Sequence, residues 1–346
     1  MGDFRHSVCI ILEVKTWNSK LYKIDLMLNL PKLEDLEVTG KKVLLRLDLD
    51  CELDPNDLRI KTSQETLDYL KKKNAEIIII AHRGRPEGKV DESLSLKPFQ
   101  PVFAKWGAKV EENLRFDRGE EANSPEFSRR LADLGDVFVN EAFADSHREH
   151  ASIVGLPKLL PHAAGLRFIK EVESLSKVIE NPKRPLLFIV GGSKKDKLDY
   201  INDLKKTADK ILVGGRLPEY LGDNTVSIRS LETDEQMVVA NLIMDKEDIT
   251  IHSIECFEEE IAKAGTIVLA GPMGKYEDKG HRQGTERIFT AVAASQAQFK
   301  VTGGGDSLIV VRLLNLVDKF DWVSVGGGAM LEFLAKGTLP GIQALI

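Results

Sequence analysis

The amino-acid sequence predicts an α/β protein with two doubly wound, parallel-sheet (Rossmann-like) domains joined by a helix hinge. Three features carry this prediction. Short apolar runs recur along the chain, each followed by a polar turn and a helical segment, which is typical of parallel α/β sheets. In the second half, five such runs end directly in a glycine turn. Between the halves, a helical pattern over residues 167–181 ends at Pro182 and Pro185, which break the chain.

Length, charge and composition narrow the class of protein. A chain of 346 residues exceeds one typical core, which favours two domains. The formal net charge of -6 provides no overall basic field for nucleic acid. The three cysteines lie far apart, so neither a disulfide framework nor a zinc cluster is indicated, and a reducing, cytoplasmic location is expected. Since no apolar run reaches membrane length, no membrane partner is expected.

The first strand with candidate chemistry covers residues 41–50. Residues 1–30, before it, could form an extra hairpin or an appended segment, and we assign them no chemistry. The strand is apolar and ends in alternating charges, including Asp48 and Asp50. Open α/β sheets bind ligands at the carboxyl ends of their strands, so these charges are candidates for binding. The alternative is a solvated strand end.

Further strand ends in the first half carry basic side chains. Four consecutive isoleucines at 77–80 indicate a central strand, which leads into His82, Arg83 and Arg85. Cationic and hydrogen-bonding groups after such a strand favour an anionic ligand, the alternative being a surface loop that pairs with nearby carboxylates. His147 and His150 follow a later strand, but two histidines without a third ligand are weak evidence for metal. Five arginines share the position at or just after a strand end: Arg46, Arg59, Arg85, Arg115 and Arg148.

The second half repeats a strand followed by a glycine turn. The five strands cover residues 186–190, 211–213, 266–270, 299–302 and 322–325. Such turns at one edge of a parallel sheet favour a phosphate-rich ligand, and Lys194 and Lys197 would add point charges. Neither a Walker motif nor a dinucleotide-binding fingerprint is present.

The turn Gly303-Gly304-Gly305-Asp306-Ser307 opens an apolar helix. Its glycines allow close approach of the backbone, and a helix N-terminus favours phosphate. Because Asp306 would repel a phosphate, we predict a bridging Mg²⁺ there. Ser307 is a candidate helix cap or a group that positions an oxygen. The alternative is an ordinary strand-to-helix turn capped by Asp306.

With these motifs in order, the sequence from about Pro31 to its C-terminus resembles phosphoglycerate kinase. Each motif is short, but the complete ordered set is specific. The matching motifs are Arg46-Leu47-Asp48, His82-Arg83-Gly84-Arg85-Pro86, Glu112-Asn113-Leu114-Arg115-Phe116, Asn140-Glu141-Ala142-Phe143, Gly191-Gly192-Ser193-Lys194, Gly271-Pro272-Met273-Gly274, Gly303-Gly304-Gly305-Asp306-Ser307, Gly326-Gly327-Gly328-Ala329 and Leu339-Pro340-Gly341-Ile342.

The resemblance implies a domain plan and an activity. After the extension over residues 1–30, it implies a phosphoglycerate-binding domain over 31–168, a linker helix and hinge over 169–184, a nucleotide-binding domain over 185–330, and a tail over 331–346 that returns to the first domain. The implied enzyme is a monomeric phosphotransferase with a carboxyl acceptor. It moves a phosphoryl group reversibly between 1,3-bisphosphoglycerate and ADP, giving 3-phosphoglycerate and Mg-ATP, as in glycolysis and gluconeogenesis.

The resemblance also implies site residues at the matching positions. Asp306 would hold Mg²⁺ and Glu277 would contact the ribose, while Arg59, Lys194 and Lys197 would stabilise the transferred phosphoryl group. The implied phosphoglycerate site is Asp48, Arg59, His82, Arg85, Arg115 and Arg148. The implied nucleotide site is Gly191, Gly192, Lys194, Lys197, Gly215, Pro272, Glu277, Gly304, Asp306 and Ser307.

Several departures from the family leave two hypotheses open. Dozens of residues are missing between Arg216 and Thr266, including segments that wall the adenine in relatives. Asp50 and Ala270 stand where the family has Asn, and Val325 stands where it has Thr. The first hypothesis is an active phosphoglycerate kinase, supported by the retained arginines, histidine and aspartate. The second is a non-catalytic relative that binds a phosphorylated ligand in a regulatory or scaffolding role. A weaker third alternative is a kinase for another acyl phosphate.

Overall fold

The computed structural model describes residues 30–222 and 232–346, so the predicted N-terminal hairpin lies outside the described residues. The chain divides into two compact units. The first runs to Glu173 and includes Gly337–Ile346, and the second is Ser174–Lys336.

The first unit is built on a five-stranded parallel sheet in the order β3-β2-β1-β4-β5. Apart from the first residue of β1 and of β2, the residues of β1, β2 and β4 are buried, as expected for strands covered on both faces. Its apolar core includes Leu45, Ile79, Phe99 and Val139. The strands are β1 Lys42–Arg46, β2 Glu76–Ile80, β3 Lys109–Val110, β4 Val137–Asn140 and β5 His162–Ala164.

Short helices connect these strands. Asp57 caps α1 by accepting a hydrogen bond from the Arg59 N–H, and Ser124 caps α5 through the Phe127 N–H. Short 3-10 turns at Leu114–Phe116 and Phe143–Asp145 follow strand ends and carry charged residues. The helices are α1 Leu58–Thr62, α2 Gln64–Lys72, α3 Gln100–Phe103, α4 Arg118–Glu121 and α5 Pro125–Ala132.

The second unit contains a seven-stranded sheet in the order β12-β11-β10-β6-β7-β9-β8, parallel except for β8, which pairs antiparallel with β9. The two predicted parallel-sheet α/β domains are therefore confirmed. All five strands predicted before a glycine turn are present, whereas β8 and β9 were not predicted. The strands are β6 Leu186–Val190, β7 Lys210–Val213, β8 Glu232–Asp234, β9 Met237–Val239, β10 Thr266–Ala270, β11 Phe299–Gly303 and β12 Trp322–Ser324.

Apolar helix faces bury against this second sheet. Phe257 and Ile261 of one helix and Phe289 and Val292 of another join the core around Leu269. Among the described residues no helix is both long and apolar enough to cross a membrane. The helices of this unit after β6 are α7 Ile201–Leu204, α8 Ile251–Lys263, α9 Gln283–Ala294, α10 Gly305–Leu313 and α11 Gly327–Lys336.

One further helix, α6 Leu166–Glu180, contains the boundary between the units. Its first N–H groups are held by the buried Glu141 carboxylate, which accepts from the Arg167 N–H at 3.1 Å and the Phe168 N–H at 3.0 Å. The chain ends in α12 Pro340–Gln343, in the segment assigned to the first unit. The Gly341 N–H donates to the Ser146 carbonyl there. The predicted limits of the linker, domains and tail stay predictions.

Candidate active site

Polar and charged side chains of the first unit meet at or beyond the carboxyl ends of β1, β2, β3 and β4. We call this group, Arg46, His82, Arg115, Asp145 and Arg148, the basic cluster. Every member except Arg148 is buried, although burying a charge without a partner is costly. The contacts within the cluster therefore decide what charge it presents to a ligand.

Arg46 anchors the basic cluster. Its side chain is fully buried, and its Nε donates to the Ser152 hydroxyl at 2.9 Å. Ser152 donates in turn to the buried Glu120 carboxylate at 2.5 Å. Arg46 Nη1 donates to the Leu47 carbonyl. Arg46 is thus hydrogen-bonded to neighbouring protein groups on several sides.

Arg46 also determines which ring nitrogen of His82 carries the proton. Arg46 Nη2 lies 3.0 Å from His82 Nδ1, and a guanidinium can only donate, so Nδ1 accepts and Nε2 is protonated. Burial lowers the pKa of His82 to about 3; Arg46 and Arg115 lower it as well, while Asp145 opposes them. His82 is therefore neutral at neutral pH. Its buried Nε2 has no hydrogen-bond partner among the described residues, which makes it a donor for a ligand.

Asp145 lies at the centre of the basic cluster and was not predicted as a site residue. Its Oδ2 lies 3.3 Å from Arg46 Nη2 and 3.4 Å from His82 Nδ1, and its Oδ1 lies 3.8 Å from Arg148 Nη1. Burial penalises the charged form, but attraction to Arg46, Arg148 and Arg115 outweighs it and holds the pKa of Asp145 well below its usual range. The cluster therefore contains a permanent internal carboxylate.

Asp48 and Arg59 form a second charged pair next to this cluster. Arg59 Nε lies 3.1 Å from Asp48 Oδ2, and both side chains are largely buried. Burial raises the pKa of Asp48 to about 6; Arg59 opposes this shift, and nearby Asp145 adds to it. Asp50 accepts from the Gly84 N–H at 2.8 Å, a contact that the amide oxygen of an Asn could also make.

The remaining predicted arginines differ in how they are held. Arg115 Nη1 donates to the Gly84 carbonyl at 2.7 Å, and its Nε lies 3.3 Å from Glu121. Burial, followed by repulsion from Arg148, lowers the pKa of Arg115. Arg85 is exposed immediately after Gly84. The structure thus gathers the predicted phosphoglycerate-site residues Asp48, Arg59, His82, Arg115 and Arg148, while Arg85 is tied to them only through its backbone position.

Three glycine turns of the second unit interlock through their main chains. The Gly192 N–H donates to the Pro272 carbonyl at 2.7 Å, and the Arg216 N–H donates to the Gly192 carbonyl at 2.9 Å. Gly215 has a φ of +60° and lies so close to the backbone of Gly192 that an added Cβ would be 2.4 Å from the Gly192 nitrogen. Only glycine fits this crossing, which explains why the turns after β6, β7 and β10 are glycine-rich.

The two predicted lysines occupy different positions. Lys197 Nζ donates to the Gly191 carbonyl at 2.6 Å and to the Ala270 carbonyl at 3.1 Å, so it holds two of the glycine turns together. Burial lowers the pKa of Lys197 to about 8, while Asp306 opposes the shift. Lys194 is exposed at the start of the 3-10 helix Lys195–Tyr200.

These turns border a cavity of about 520 Å³, which we call the glycine-rich pocket. Five predicted nucleotide-side residues line it: Gly192, Gly215, Pro272, Glu277 and Asp306. Arg216, Glu247, Lys275 and Tyr276 also line it and were not predicted. Tyr276 is buried between two carboxylates; burial, with Asp306 and Glu277, raises the pKa of its phenol.

The last predicted turn begins α10. Gly304, at a φ of +104°, is the N-cap, and neither Ser307 nor Asp306 caps the helix with its side chain, so both capping alternatives are wrong. Ser307 is fully buried, and its hydroxyl accepts from the Gly271 N–H at 3.0 Å. Asp306, in the first helical turn, is exposed at the glycine-rich pocket.

Comparisons with known proteins were made for the whole chain. A family model described as phosphoglycerate kinase matches residues 33–111, 107–248 and 223–337. A phosphoglycerate kinase from Dictyoglomus turgidum is 34% identical, over 90% of this chain and 97% of its own length. One from Thermus thermophilus is also 34% identical, over 90% and 98%.

Solved structures agree with these sequence relatives. The phosphoglycerate kinase of Coxiella burnetii superposes with a TM-score of 0.74 at 31% identity, covering 91% of this chain and 98% of its own. The enzyme of Pyrococcus horikoshii OT3 has a TM-score of 0.77 at 25% identity, with the same coverage. The similarity therefore extends over both units.

Proposed function

The chain belongs to the phosphoglycerate kinase family, and we propose that it is an active kinase that transfers a phosphoryl group reversibly between 1,3-bisphosphoglycerate and ADP. The observation that carries the proposal is the family match across both units, since each substrate needs a site of its own. The basic cluster and the glycine-rich pocket supply one candidate site in each unit. The relatives reported above carry the name of the kinase, and none of them supports the non-catalytic alternative.

The phosphoglycerate would bind at the basic cluster and the adjacent Asp48–Arg59 pair. His82 would donate its Nε2–H, because Arg46 holds its other nitrogen as an acceptor. Arg115 and Arg148 would neutralise the carboxylate or phosphate, and exposed Arg85 could reach the ligand from the rim. Asp48 would orient Arg59, with which it pairs at 3.1 Å.

The nucleotide would bind at the glycine-rich pocket, and Mg²⁺ would accompany it. The residues present fit this metal: Mg²⁺ keeps several waters and takes one or two carboxylates plus substrate phosphates, and exposed Asp306 lines the pocket. No group of three or more His, Cys, Asp or Glu side chains suited to a metal occurs among the described residues. When bound, the ion would neutralise phosphate charge.

The reaction needs no strong base, because the acceptor in the direction of ATP consumption is an ionised carboxylate. Catalysis then depends on positioning and on stabilising the charge of the phosphoryl group. We assign that charge stabilisation to Arg59 and Lys194. Lys197, predicted beside them, is engaged by the Gly191 and Ala270 carbonyls and would support the turns that hold the phosphates.

The test is turnover combined with separate binding measurements. Isothermal titration with Mg-ADP and with 3-phosphoglycerate should show that each ligand binds alone, and a coupled assay should show phosphoryl transfer in both directions. Binding of 3-phosphoglycerate without nucleotide binding or turnover would instead support the non-catalytic alternative. We further propose a monomeric, cytoplasmic enzyme, which light scattering and cell fractionation would check.

A further inference from the structure

The basic cluster contains an anion, Asp145, as well as cations. Asp145 is 3% exposed and contacts three members of the cluster, Arg46, His82 and Arg148. It comes from the turn Phe143–Asp145, which begins three residues after the end of β4 at Asn140. A carboxylate thus already occupies the neighbourhood in which a phosphorylated acid would bind.

The three partners of Asp145 are not equally available to a ligand. Arg46 is fully buried and also bonds Ser152 and the Leu47 carbonyl. His82 is neutral and offers its other nitrogen, Nε2, so Asp145 does not block it. These two contacts can persist when a ligand binds.

Arg148 is the partner that a ligand can take from Asp145. Its side chain is 28% exposed, and its Nη1 lies 3.8 Å from Asp145 Oδ1, which is too far for a hydrogen bond. That nitrogen has no hydrogen-bond partner among the described residues. The Arg148 Nε lies 3.4 Å from His147 Nε2, at the long end for a hydrogen bond. Arg148 can therefore turn towards a bound anion at little cost in specific contacts, but it must leave the attraction of Asp145 to do so.

We propose that Asp145 is a specificity-determining residue, an internal anion that competes with the substrate for Arg148 and reduces the charge the basic cluster offers to it. This inference rests on the proposed phosphoglycerate site. The opposing electrostatic effect grows with the charge of the ligand, because each ligand charge is repelled by Asp145. The site therefore favours highly charged anions less than its arginines alone would.

The test compares Asp145→Asn with the wild-type enzyme by titration with 3-phosphoglycerate, inorganic phosphate and unphosphorylated glycerate. The variant keeps the shape of the side chain and removes one negative charge. We expect it to bind 3-phosphoglycerate more tightly, on the order of tenfold, with smaller gains for phosphate and then for glycerate. Asp133→Asn is the matched control, since it removes one exposed carboxylate from the same unit and should leave all three affinities unchanged.

A double variant tests the competition for Arg148 itself. In an Arg148→Met background, Asp145→Asn should improve 3-phosphoglycerate binding much less, because the contested cation is gone and only the direct repulsion between Asp145 and the ligand is relieved. Unchanged or weaker binding by folded Asp145→Asn would overturn the proposal and leave Asp145 as a scaffold for the arginines. A gain of equal size in the Arg148→Met background would overturn the competition as well.

A measurement on the wild-type enzyme keeps the proposal testable if the variant does not fold. A crystal structure with 3-phosphoglycerate should show Arg148 on the ligand and away from Asp145. Arg148 still paired with Asp145 beside a bound ligand would contradict the proposal. Failure of the proposed function has a different signature: the wild-type enzyme would neither bind 3-phosphoglycerate nor turn over, while Asp145→Asn would still gain affinity for inorganic phosphate.

Discussion

The basic cluster of the first unit and the glycine-rich pocket of the second are built in opposite ways for ligands of similar charge. The cluster uses buried charged side chains, and carboxylates of the protein neutralise its arginines, as in the pairs Arg46–Asp145 and Arg115–Glu121, both at 3.3 Å. The pocket uses main-chain turns that cross at Gly192 and Gly215.

This difference has a physical cause. Buried arginines without counter-ions would destabilise the fold, so the first site contains anions that oppose its ligand. Main-chain groups carry no net charge, so the turns of the second site need no internal counter-ion, but they tolerate only glycine where they cross. The first site should therefore be most sensitive to changes of charge and the second to changes of backbone shape.

The largest effect should come from removing a charge that acts on the reaction itself. Arg59→Ala should lower kcat by roughly 10²–10³-fold, because the variant loses a group that stabilises transition-state charge. The measurement is steady-state kinetics with thermal unfolding as a check on the fold. Arg130→Ala removes an exposed arginine of the same unit, paired with Asp117, and should leave kcat unchanged. A kcat within twofold of wild type for Arg59→Ala would remove Arg59 from the mechanism.

Asp306, in the second unit, should affect nucleotide binding mainly through Mg²⁺. Asp306→Asn should weaken Mg-ADP binding by about 10–100-fold, the range typical when groups that support a metal are lost. Binding of ADP without Mg²⁺ should fall much less, and 3-phosphoglycerate binding should not change. Asp318→Asn, an exposed carboxylate of the same unit, is the control. Equal losses with and without Mg²⁺ would exclude Asp306 as a metal ligand.

The sequence predicted those parts of the two sites that depend on local pattern. Apolar runs and glycine turns identify strands and their carboxyl ends, and Asp306 does lie just after β11. Arg115 and Arg148 lie further on, in or beyond the 3-10 turns that follow β3 and β4, and Arg59 lies in α1 rather than at a strand end. The three-residue strands β8 and β9 are too short to show a period, and they were missed.

Long-range pairing could not be predicted from the sequence. Asp145 lies 99 positions from the Arg46 it neutralises, and no local pattern joins them. The partners of Lys197 could not be predicted either, because one of its carbonyl partners follows β6 and the other is the last residue of β10. What the sequence identified was the chemical type of each group, whereas the partner of each group depends on the folded chain.

Alanine substitutions at two glycines with similar φ separate backbone strain from the effect of crowding at the crossing of the turns. Gly215→Ala would place a Cβ 2.4 Å from the Gly192 nitrogen, whereas Gly40, at a φ of +68°, has nothing within 4 Å of an added Cβ. Gly40→Ala should cost about 1 kcal/mol of backbone strain alone, and Gly215→Ala about 1–3 kcal/mol more. Thermal unfolding and Mg-ADP titration measure both effects, and only Gly215→Ala should weaken nucleotide binding. Equal stability losses would mean that the crossing of the turns can relax.

The smallest expected effect is a pH dependence of stability, and it distinguishes two buried carboxylates of the first unit. Asp145 faces arginines, and its pKa is held low, whereas Glu141 faces the N–H groups at the start of α6 and the Thr66 hydroxyl. Burial raises the pKa of Glu141 to about 7, and its hydrogen bonds oppose the shift only in part. The pKa values of the two carboxylates therefore shift in opposite directions, that of Asp145 beside guanidinium groups and that of Glu141 beside mainly main-chain donors.

The sign of the resulting pH dependence follows from proton binding. Between the ordinary value of 4.5 and about 7, the folded state holds the Glu141 proton more firmly than the unfolded state. The contribution of Glu141 to stability is thus fully present below that window and is lost as pH rises through 7. Glu141→Gln cannot titrate, so its Tm relative to wild type should rise by a few degrees between pH 5 and pH 8. Asp145→Asn should show no such shift in Tm, because Asp145 is ionised throughout this range. If the Tm values of Glu141→Gln and wild type instead changed with pH in parallel, arginine pairing and main-chain pairing would stabilise these two carboxylates equally well.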